Sequence, residues 1–231
     1  RSHRQYYLSR YVKGDFRSYK HLLEKTIHDN SVPSFIHSAE LNSIGGNTCN
    51  LACNMCSSGA SSKYNSEAYK LNEENSMMPR PSNYKKFNED LKKFKILEMK
   101  FTGGEPLLIK ENFDLMRQLD KNTLVRIITN GTVNPSKLID ILKDFRVDIM
   151  ISVEGPKEVT EYIRYGSDFN TVLKHFDMMR KIWGDSVMFT ATINALNISR
   201  IPELLNIRKG HAGSPVTNNF YSVNSIPDDI K

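Results

Sequence analysis

The stretch "LVRIITNGTVNPSKLIDILKDFRVDIMISVEG", residues 124–155, carries the pattern that decides the fold. It begins and ends with short apolar, β-branched runs, each followed by polar loop residues. Between these runs, apolar residues recur at helical spacing after Asn134, a predicted N-cap, and Pro135, a predicted first helical residue. A strand, a helix and a strand in this order predict a βαβ unit with parallel strands.

The same alternation extends in both directions from this unit. Further strands are predicted at 38–45, 96–104, 186–194 and 218–225, and further helices at 61–69, 87–94, 111–119, 169–183 and 198–209. The helix at 169–183 has one apolar face, formed by Phe169, Val172, Leu173, Phe176, Met179 and Trp183. Six parallel strands fit either an open doubly wound sheet or a partial barrel. In both folds the chemistry belongs at the carboxyl ends of the strands.

The regions outside this alternation define the expected domain organisation. Residues 1–37 are a basic, aromatic lead-in segment, for which a helix packed on the main domain is favoured over a nucleic-acid contact. Residues 38–231 are expected to form one core domain. Within it, the polar stretch 73–83 is predicted to be a flexible insertion.

Composition narrows the class of protein. The chain of 231 residues has ordinary apolar and charged contents, no apolar run long enough for a membrane span and no secretory signal. It begins with Arg1, so we expect a fragment or a trimmed portion of a protein. The net charge of +6 fits an anionic substrate, an acidic redox partner, nucleic acid or simply a solvated basic surface. Three cysteines cannot form a complete disulfide framework, which favours the reducing cytoplasm.

All three cysteines lie in "NTCNLACNMCSSGA", residues 47–60, directly after the first predicted strand. Their spacing is C-x3-C-x2-C, close enough for the thiolates to converge on one metal centre. A structural zinc site takes four protein ligands, and no histidine stands at the short spacing of zinc ribbons, although His37 or His175 could complete such a site. An iron–sulfur cube also takes four ligands. With three supplied by the chain, one iron stays open to a ligand from outside the protein.

A second motif, "FTGGEPLL" at residues 101–108, ends the next strand. Glycines allow close approach of the backbone to a ligand, and Glu105 can accept hydrogen bonds from an ammonium group. Alone, the motif is more typical of a glycine turn with a surface glutamate. Its place after the strand that follows the cysteine loop favours a binding site.

Together, "CNLACNMC" and "FTGGEPLL" resemble the radical S-adenosylmethionine (SAM) superfamily, over about residues 38–223. The resemblance implies an α/β fold, a partial (β/α)6 parallel barrel. It also implies that Cys49, Cys53 and Cys56 ligate a catalytic [4Fe–4S] cluster whose open iron is chelated by SAM. The implied activity is that of an enzyme that reductively cleaves SAM to a 5′-deoxyadenosyl radical, which abstracts hydrogen from a substrate.

The resemblance also assigns SAM-binding residues. Gly103, Gly104 and Glu105 would receive the methionyl amino group. In "ISVEGPKEVTEYIRYG", Ser152 would contact the ribose and Arg164 the carboxylate, and the alternative is a capping serine with a solvated arginine. Weaker assignments, for which turn chemistry is the alternative, place four residues along the ribose, adenine or substrate: Thr129, Asn130, Thr192 and Asn194.

Three features depart from the family pattern. Glu154 stands where relatives often carry aspartate. Met55 stands where an aromatic residue usually packs on adenine, a contact that a flexible apolar side chain can also make. The glycine-rich adenine motif is not clear in "FTATINALN", residues 189–197.

The motifs most resemble the SPASM/twitch-type branch, whose members modify peptides or proteins, so a peptide or protein substrate is favoured. The additional cysteines of those extensions are missing, so the extension is absent, trimmed or beyond Lys231. Alternatives are an enzyme acting on a small molecule or nucleotide, such as a 7-deazaguanine-type ring former, or a glycyl-radical-enzyme activase. A non-catalytic iron–sulfur redox or binding protein is an alternative of another class. Reduced flavodoxin or ferredoxin is the expected electron donor.

Overall fold

The computed structural model describes residue 28 and residues 35–42, 47–70, 84–207 and 216–217. Besides the helical residue His28, the described part contains nine strands, seven α-helices and three short 3₁₀ helices. The strands are β1 (Phe35–Asn42), β2 (Ala52–Cys53), β3 (Lys95–Thr102), β4 (Leu124–Thr129), β5 (Arg146–Ser152), β6 (Arg164–Tyr165), β7 (Val187–Thr190), β8 (Thr192–Ile193) and β9 (Val216–Thr217). The helices are α1 (Ser62–Lys70), α2 (Tyr84–Leu91), α3 (Lys110–Met116), α4 (Ser136–Leu142), α5 (Lys157–Ile163), α6 (Phe169–Trp183) and α7 (Ile201–Ile207).

The main sheet has five parallel strands in the order β1-β3-β4-β5-β7, which is also their order in the chain. A doubly wound sheet reverses its strand order at a switch point, whereas a barrel adds each strand beside the last. The observed order is therefore that of a partial barrel. β9 follows α7 and pairs in parallel with β8, so the alternation of strand and helix continues to residue 217.

The helices cover one face of this sheet through a continuous apolar layer. Its buried side chains include Val125, Ile127, Leu138, Leu142, Val147, Ile149, Ile151, Val172, Phe176, Met179, Val187 and Phe189. The rings of Phe176 and Phe189 stack with their centroids 4.1 Å apart. Because side chains alternate along a strand, the residues between these apolar positions point to the other face.

That other face carries several charged side chains, which pair with one another. Arg126 lies between two acids: its Nη2 is 3.0 Å from Asp148 Oδ2, and its Nε is 3.6 Å from Glu98 Oε2. Lys100 Nζ pairs with Glu40 Oε2 at 3.1 Å. Four neighbouring strands thus present charged side chains on the face opposite the helices.

Helix α6 has the bounds that its sequence predicts, 169–183. The Asp168 side chain accepts a hydrogen bond from the Thr171 amide at 2.6 Å and caps the helix. The predicted apolar face is the one packed against the sheet. Gly184 then ends the helix with a φ of 55°. Among the described helices, none has both the length and the apolar content needed to cross a membrane.

Several predicted bounds differ from the structure. The helix predicted at 87–94 lies at Tyr84–Leu91. The strand predicted at 186–194 is interrupted at Ala191, because the next amide, that of Thr192, donates to the Glu154 carboxylate instead of a neighbouring strand. Helix α4 begins at Ser136, one residue later than predicted, although Asn134 Oδ1 accepts from the Ser136 amide as a capping side chain does.

Strand β1 begins at Phe35, within the predicted lead-in segment. The rest of that segment apart from residue 28 and residues 35–37, the insertion predicted at 73–83 and the strand predicted at 218–225 lie outside the described residues. The predicted division at residue 38 therefore stays a prediction.

Candidate functional site

A cavity of about 200 Å³ opens at the carboxyl ends of the sheet strands. Most of the predicted site residues line it: Cys49, Cys53, Met55, Cys56, Gly103, Gly104, Thr129, Asn130, Ser152, Arg164 and Thr192. Leu51, Ala60 and Ile128 add apolar wall. The other three predicted residues, Glu105, Glu154 and Asn194, are buried and bind the residues that form the wall.

A larger groove of about 410 Å³ lies at the opposite end of the sheet, beside the beginning of β3 and the residue that precedes β4. Phe94, Leu115 and Leu119 form part of its lining, together with lysine, asparagine and glutamine side chains. It contains none of the predicted site residues. The smaller cavity, where thiols, glycines and charged groups meet, is therefore the candidate site.

Two serines at the start of α1 hold the cysteine loop by side-chain hydrogen bonds. Ser62 Oγ accepts from the Cys49 amide at 3.0 Å and lies 3.1 Å from the Cys49 carbonyl. Ser61 Oγ donates to the Leu51 carbonyl at 2.6 Å and accepts from the Tyr64 amide at 3.0 Å. Buried backbone groups of the loop are thus paired with nearby side chains, which fixes the loop geometry.

Distant parts of the chain complete this support. The Asn54 amide donates to the Ile163 carbonyl at 2.8 Å, and β2 pairs antiparallel with β6, so Cys53 lies opposite Arg164. The Glu105 amide donates to the Thr48 carbonyl at 2.8 Å. The cysteine loop is therefore tied to the β3 loop and to the end of α5.

All three cysteines are free thiols on the cavity wall. Burial raises the pKa of Cys53 from 9.0 to about 11, and burial also raises the pKa of Cys56. Thiols of this kind stay protonated at neutral pH until a metal displaces the proton.

Among the described residues, no three His, Cys, Asp or Glu side chains converge on one point as the ligands of a single metal ion would. In a [4Fe–4S] cluster each cysteine binds a different iron, so the sulfurs need not converge on one atom. Three thiols around one cavity fit such a cluster better than a three-cysteine zinc site.

Gly104 brings the β3 loop against the cysteine loop. Its φ is +45°, and a Cβ at this position would lie 2.4 Å from the Thr48 carbonyl oxygen. Any side chain here would push the two loops apart. Gly103, with a φ of 77°, lies beside it on the cavity wall. The structure thus gives Gly104 a packing role beside its predicted contact with SAM.

Glu105 is fully buried and accepts three hydrogen bonds. Its Oε1 accepts from the Leu107 amide at 3.0 Å and from Thr129 Oγ1 at 2.8 Å, while Oε2 accepts from the Asn130 amide at 2.7 Å. Burial is the largest influence on its carboxyl group and raises the pKa, against the lowering effect of these donors. Its carboxyl group links the β3 loop to the end of β4. Direct contact of Glu105 with the SAM amino group stays a prediction.

The TNGT turn after β4 contacts the cysteine loop through Asn130. Its Nδ2 is 3.0 Å from Asn50 Oδ1 and 3.9 Å from Cys49 Sγ. Its Oδ1 accepts from the amide and the hydroxyl of Thr132, at 2.9 and 2.7 Å. Asn130 therefore bridges the turn and the first cysteine.

The segment after β5 forms a buried ion pair beside the second cysteine. Arg164 Nε donates to Glu154 Oε1 at 2.9 Å, and Nη2 donates to the same oxygen at 2.5 Å. Arg164 Nη1 is 3.8 Å from Cys53 Sγ. Coulombic attraction from Glu154 raises the pKa of Arg164 despite the opposing effect of burial. Ser152 lies on the cavity wall nearby.

Thr192 and Asn194, which follow the fifth strand of the main sheet, have different positions relative to the cavity. Thr192 lies on the cavity wall, and its amide donates to Glu154 Oε2 at 2.8 Å. Asn194 is 3% exposed; its Nδ2 donates to the Thr192 carbonyl and its Oδ1 accepts from the Leu196 amide, so its recorded contacts are those of a turn.

Sequence reasoning missed several residues that support the site. His175 Nδ1 is 2.8 Å from the Gly131 carbonyl and holds the TNGT turn from α6. Thr160 Oγ1 accepts from the amides of Glu154 and Gly155. Asn197, fully buried, donates to the Glu154 carbonyl at 3.1 Å. Of these residues, His175 alone could have been noticed in the sequence, because it is a polar residue on the apolar face of α6.

A family model described as the Radical SAM superfamily matches residues 43–207. The radical SAM cyclopropyl synthase TigE of Paramaledivibacter caminithermalis is 25% identical over 147 residues, covering 58% of this chain and 31% of that protein. The chain spans less than half the length of the curated relatives it matches.

Two solved structures share the fold at low identity. "Native anSMEcpe with bound AdoMet" superposes with a TM-score of 0.58 and 17% identity, covering 79% of this chain and 52% of that one. Streptococcus suis SuiB, bound to precursor peptide SuiA, gives a TM-score of 0.54 and 18% identity, covering 82% and 40%. The family match covers most of the chain, including the cysteine loop and the cavity it lines. The chain belongs to the radical SAM superfamily.

Proposed function

We propose that this chain is the catalytic core of a radical SAM enzyme, which reductively cleaves SAM at a [4Fe–4S] cluster and abstracts hydrogen from a peptide or protein side chain. One observation carries the proposal: the three cysteines lie in a hydrogen-bonded loop on the wall of a cavity that also contains Gly103 and Gly104. The family uses this cluster and SAM, and both belong at this edge of the sheet.

The residues present fit that pair of cofactors. Cys49, Cys53 and Cys56 would hold the cluster, which when bound supplies the electron that cleaves SAM. Gly103 and Gly104 present backbone to the cavity, where an ammonium group would find carbonyl acceptors. The predicted nucleoside-binding residues that line the cavity are Met55, Thr129, Asn130, Ser152 and Thr192.

A peptide or protein substrate is supported by the structural neighbours. SuiB is described as bound to a precursor peptide, and anSMEcpe as bound to a Cp18Cys peptide.

The electron donor and location are part of the same proposal. Reduced flavodoxin or ferredoxin, which are acidic, would dock on a chain with a net charge of +6. Free cysteines and an oxygen-sensitive cluster suit the reducing cytoplasm.

The test is anaerobic SAM cleavage. The chain is reconstituted with iron and sulfide, reduced with dithionite and given SAM, and 5′-deoxyadenosine is measured by mass spectrometry. We expect product from the native chain, none from Cys53→Ala and sharply less from Glu105→Ala. Glu203→Ala, which removes a half-exposed glutamate on α7, is the matched control and should cleave normally.

The outcome that would overturn the proposal is an iron–sulfur chromophore without SAM cleavage and without any change of its EPR signal on adding SAM. That result would indicate a redox or binding protein instead.

A further inference from the structure

Backbone pairing between two short strands brings Arg164 and Cys53 into contact. The two residues are directly opposite each other where β2 pairs antiparallel with β6. Opposite residues of an antiparallel pair project to the same side of the ladder and interact. Arg164 Nη1 lies 3.8 Å from Cys53 Sγ, and the side chain is only 12% exposed.

Glu154 fixes the orientation of this guanidinium. Its fully buried carboxylate receives both Nε and Nη2 of Arg164, which leaves Nη1 directed at the sulfur. A planar guanidinium held through two of its three nitrogens cannot rotate away without breaking a buried ion pair.

Asn130 makes the equivalent contact with Cys49. Its Oδ1 accepts from two groups of Thr132, so the network orients the NH₂ group toward Asn50 Oδ1 and Cys49 Sγ. One amide hydrogen is available for each acceptor. The donor to sulfur is thus positioned by a rigid turn at the end of β4.

Cys56 has a contact of the opposite kind. Its Sγ lies 3.8 Å from the Ser57 carbonyl oxygen, to which only a protonated thiol can donate. An N–H group thus faces the sulfurs of Cys53 and Cys49, whereas a carbonyl acceptor faces that of Cys56. The three sulfurs therefore differ in the polarity of their surroundings.

We propose that Arg164 and Asn130 are positioning residues that raise the reduction potential of the cluster by donating N–H groups to Cys53 and Cys49. The inference rests on the proposed function, in which these sulfurs hold a [4Fe–4S] cluster. Hydrogen bonds and positive charge at the ligand sulfurs favour the reduced state, which carries one more negative charge. Glu154 offsets part of the Arg164 charge while holding it in place.

The experiment is an EPR-monitored redox titration of the reconstituted full chain without SAM, using dithionite and mediator dyes. For Arg164→Gln we expect the equilibrium constant for one-electron reduction to fall about tenfold, a shift of about 59 mV to lower potential. Asn130→Ala should shift in the same direction by less. The matched control Asn134→Ala also removes an asparagine amide, but one that binds Ser136 at the start of α4, and it should leave the potential unchanged.

Glu154→Gln supplies a test with the opposite sign, because it removes the negative charge and leaves the arginine, so the potential should rise. A merely structural role would not move the potential in opposite directions for two partners of one ion pair. Should Arg164→Gln fail to fold, Arg164→Lys keeps the charge without the planar fork and should give a smaller negative shift.

Measurement of the iron and sulfide content per chain distinguishes a failure of this inference about Arg164 and Asn130 from a failure of the proposed function. Unchanged potentials in the Arg164 and Asn130 variants with full cluster content would overturn the role of these residues and leave the proposed function intact. A native chain that takes up no cluster would overturn the proposed function itself.

Discussion

The helix-covered side of the sheet and the cysteine loop are stabilised by different kinds of interaction. On the helix side of the sheet, Phe189 stacks on Phe176 within a layer of buried apolar side chains. In the cysteine loop, the contacts are hydrogen bonds, such as those from Ser61 and Ser62 to backbone groups. Apolar burial is nondirectional and supplies most of the folding free energy, whereas hydrogen bonds fix geometry. Stability and site geometry should therefore be separable by mutation.

The largest effect is expected on the apolar side. Phe189→Ala removes a ring that is 1% exposed and stacked on Phe176, and should lower the free energy of unfolding by about 3–5 kcal/mol. Urea denaturation followed by circular dichroism measures this. The fraction that remains folded should still take up iron, since no loop contact is lost. A loss below about 1 kcal/mol would show that stability does not reside in this layer.

An intermediate effect is expected where the two loops touch. Gly104→Ala places a Cβ 2.4 Å from the Thr48 carbonyl oxygen at a positive φ, and should cost about 2–4 kcal/mol and most of the iron uptake. Gly184→Ala is the matched control, because Gly184 also has a positive φ but has open space around it.

The control should cost about 1 kcal/mol and leave iron uptake unchanged. Denaturation and iron analysis of both variants measure the difference. Equal iron uptake in the two would contradict the tight contact between the β3 loop and the cysteine loop.

The smallest effect on the free energy of unfolding is expected from ionisation of the Cys53 thiol. With a pKa of about 11 against an ordinary 9.0, Cys53 of the metal-free chain should react with iodoacetamide at pH 8 about 100-fold more slowly than an exposed thiol. Peptide mass spectrometry at timed intervals measures the rate at each cysteine.

The stability of the folded metal-free chain should fall as the pH rises, because the pKa of Cys53 is raised in the folded state. Because the folded-state pKa of Cys53 lies above the ordinary value, its thiol form favours the folded metal-free chain at pH below 9, and this contribution is lost as the pH rises toward 11. Fast alkylation of Cys53 in the folded chain at pH 8 would contradict the burial of this residue.

Much of the apolar framework could be predicted from the sequence, because the information is local. Helix α6 was predicted with its bounds from its periodic apolar residues, and the residues that cap it in the structure, Asp168 and Gly184, are its immediate neighbours in the chain. The break at Ala191 was not predicted, because it depends on a hydrogen bond from Thr192 to Glu154, 38 residues earlier.

The features of the site likewise divide into those that could be predicted from local sequence and those that depend on distant contacts. The cysteines were found from their spacing and the two glycines from their motif, and the structure places them on one cavity wall. The pairing of Arg164 with Glu154 was not foreseen, because it requires knowing that β6 lies against the cysteine loop. The contact of His175 with the Gly131 carbonyl, 44 residues earlier, was missed because it requires knowing that α6 packs beside the turn after β4.

The antiparallel pairing of β2 with β6 has a consequence for the order of events during synthesis. Cys53 and Arg164 are separated by 111 residues. At about 5–20 residues per second, the cysteines leave the ribosome roughly 5–20 s before the arginine that lies against them. During this interval the loop lacks its partner strand, so cofactor insertion into the finished geometry must follow translation of β6. Ribosome-bound chains stalled before and after β6 should accordingly differ in their capacity to retain iron.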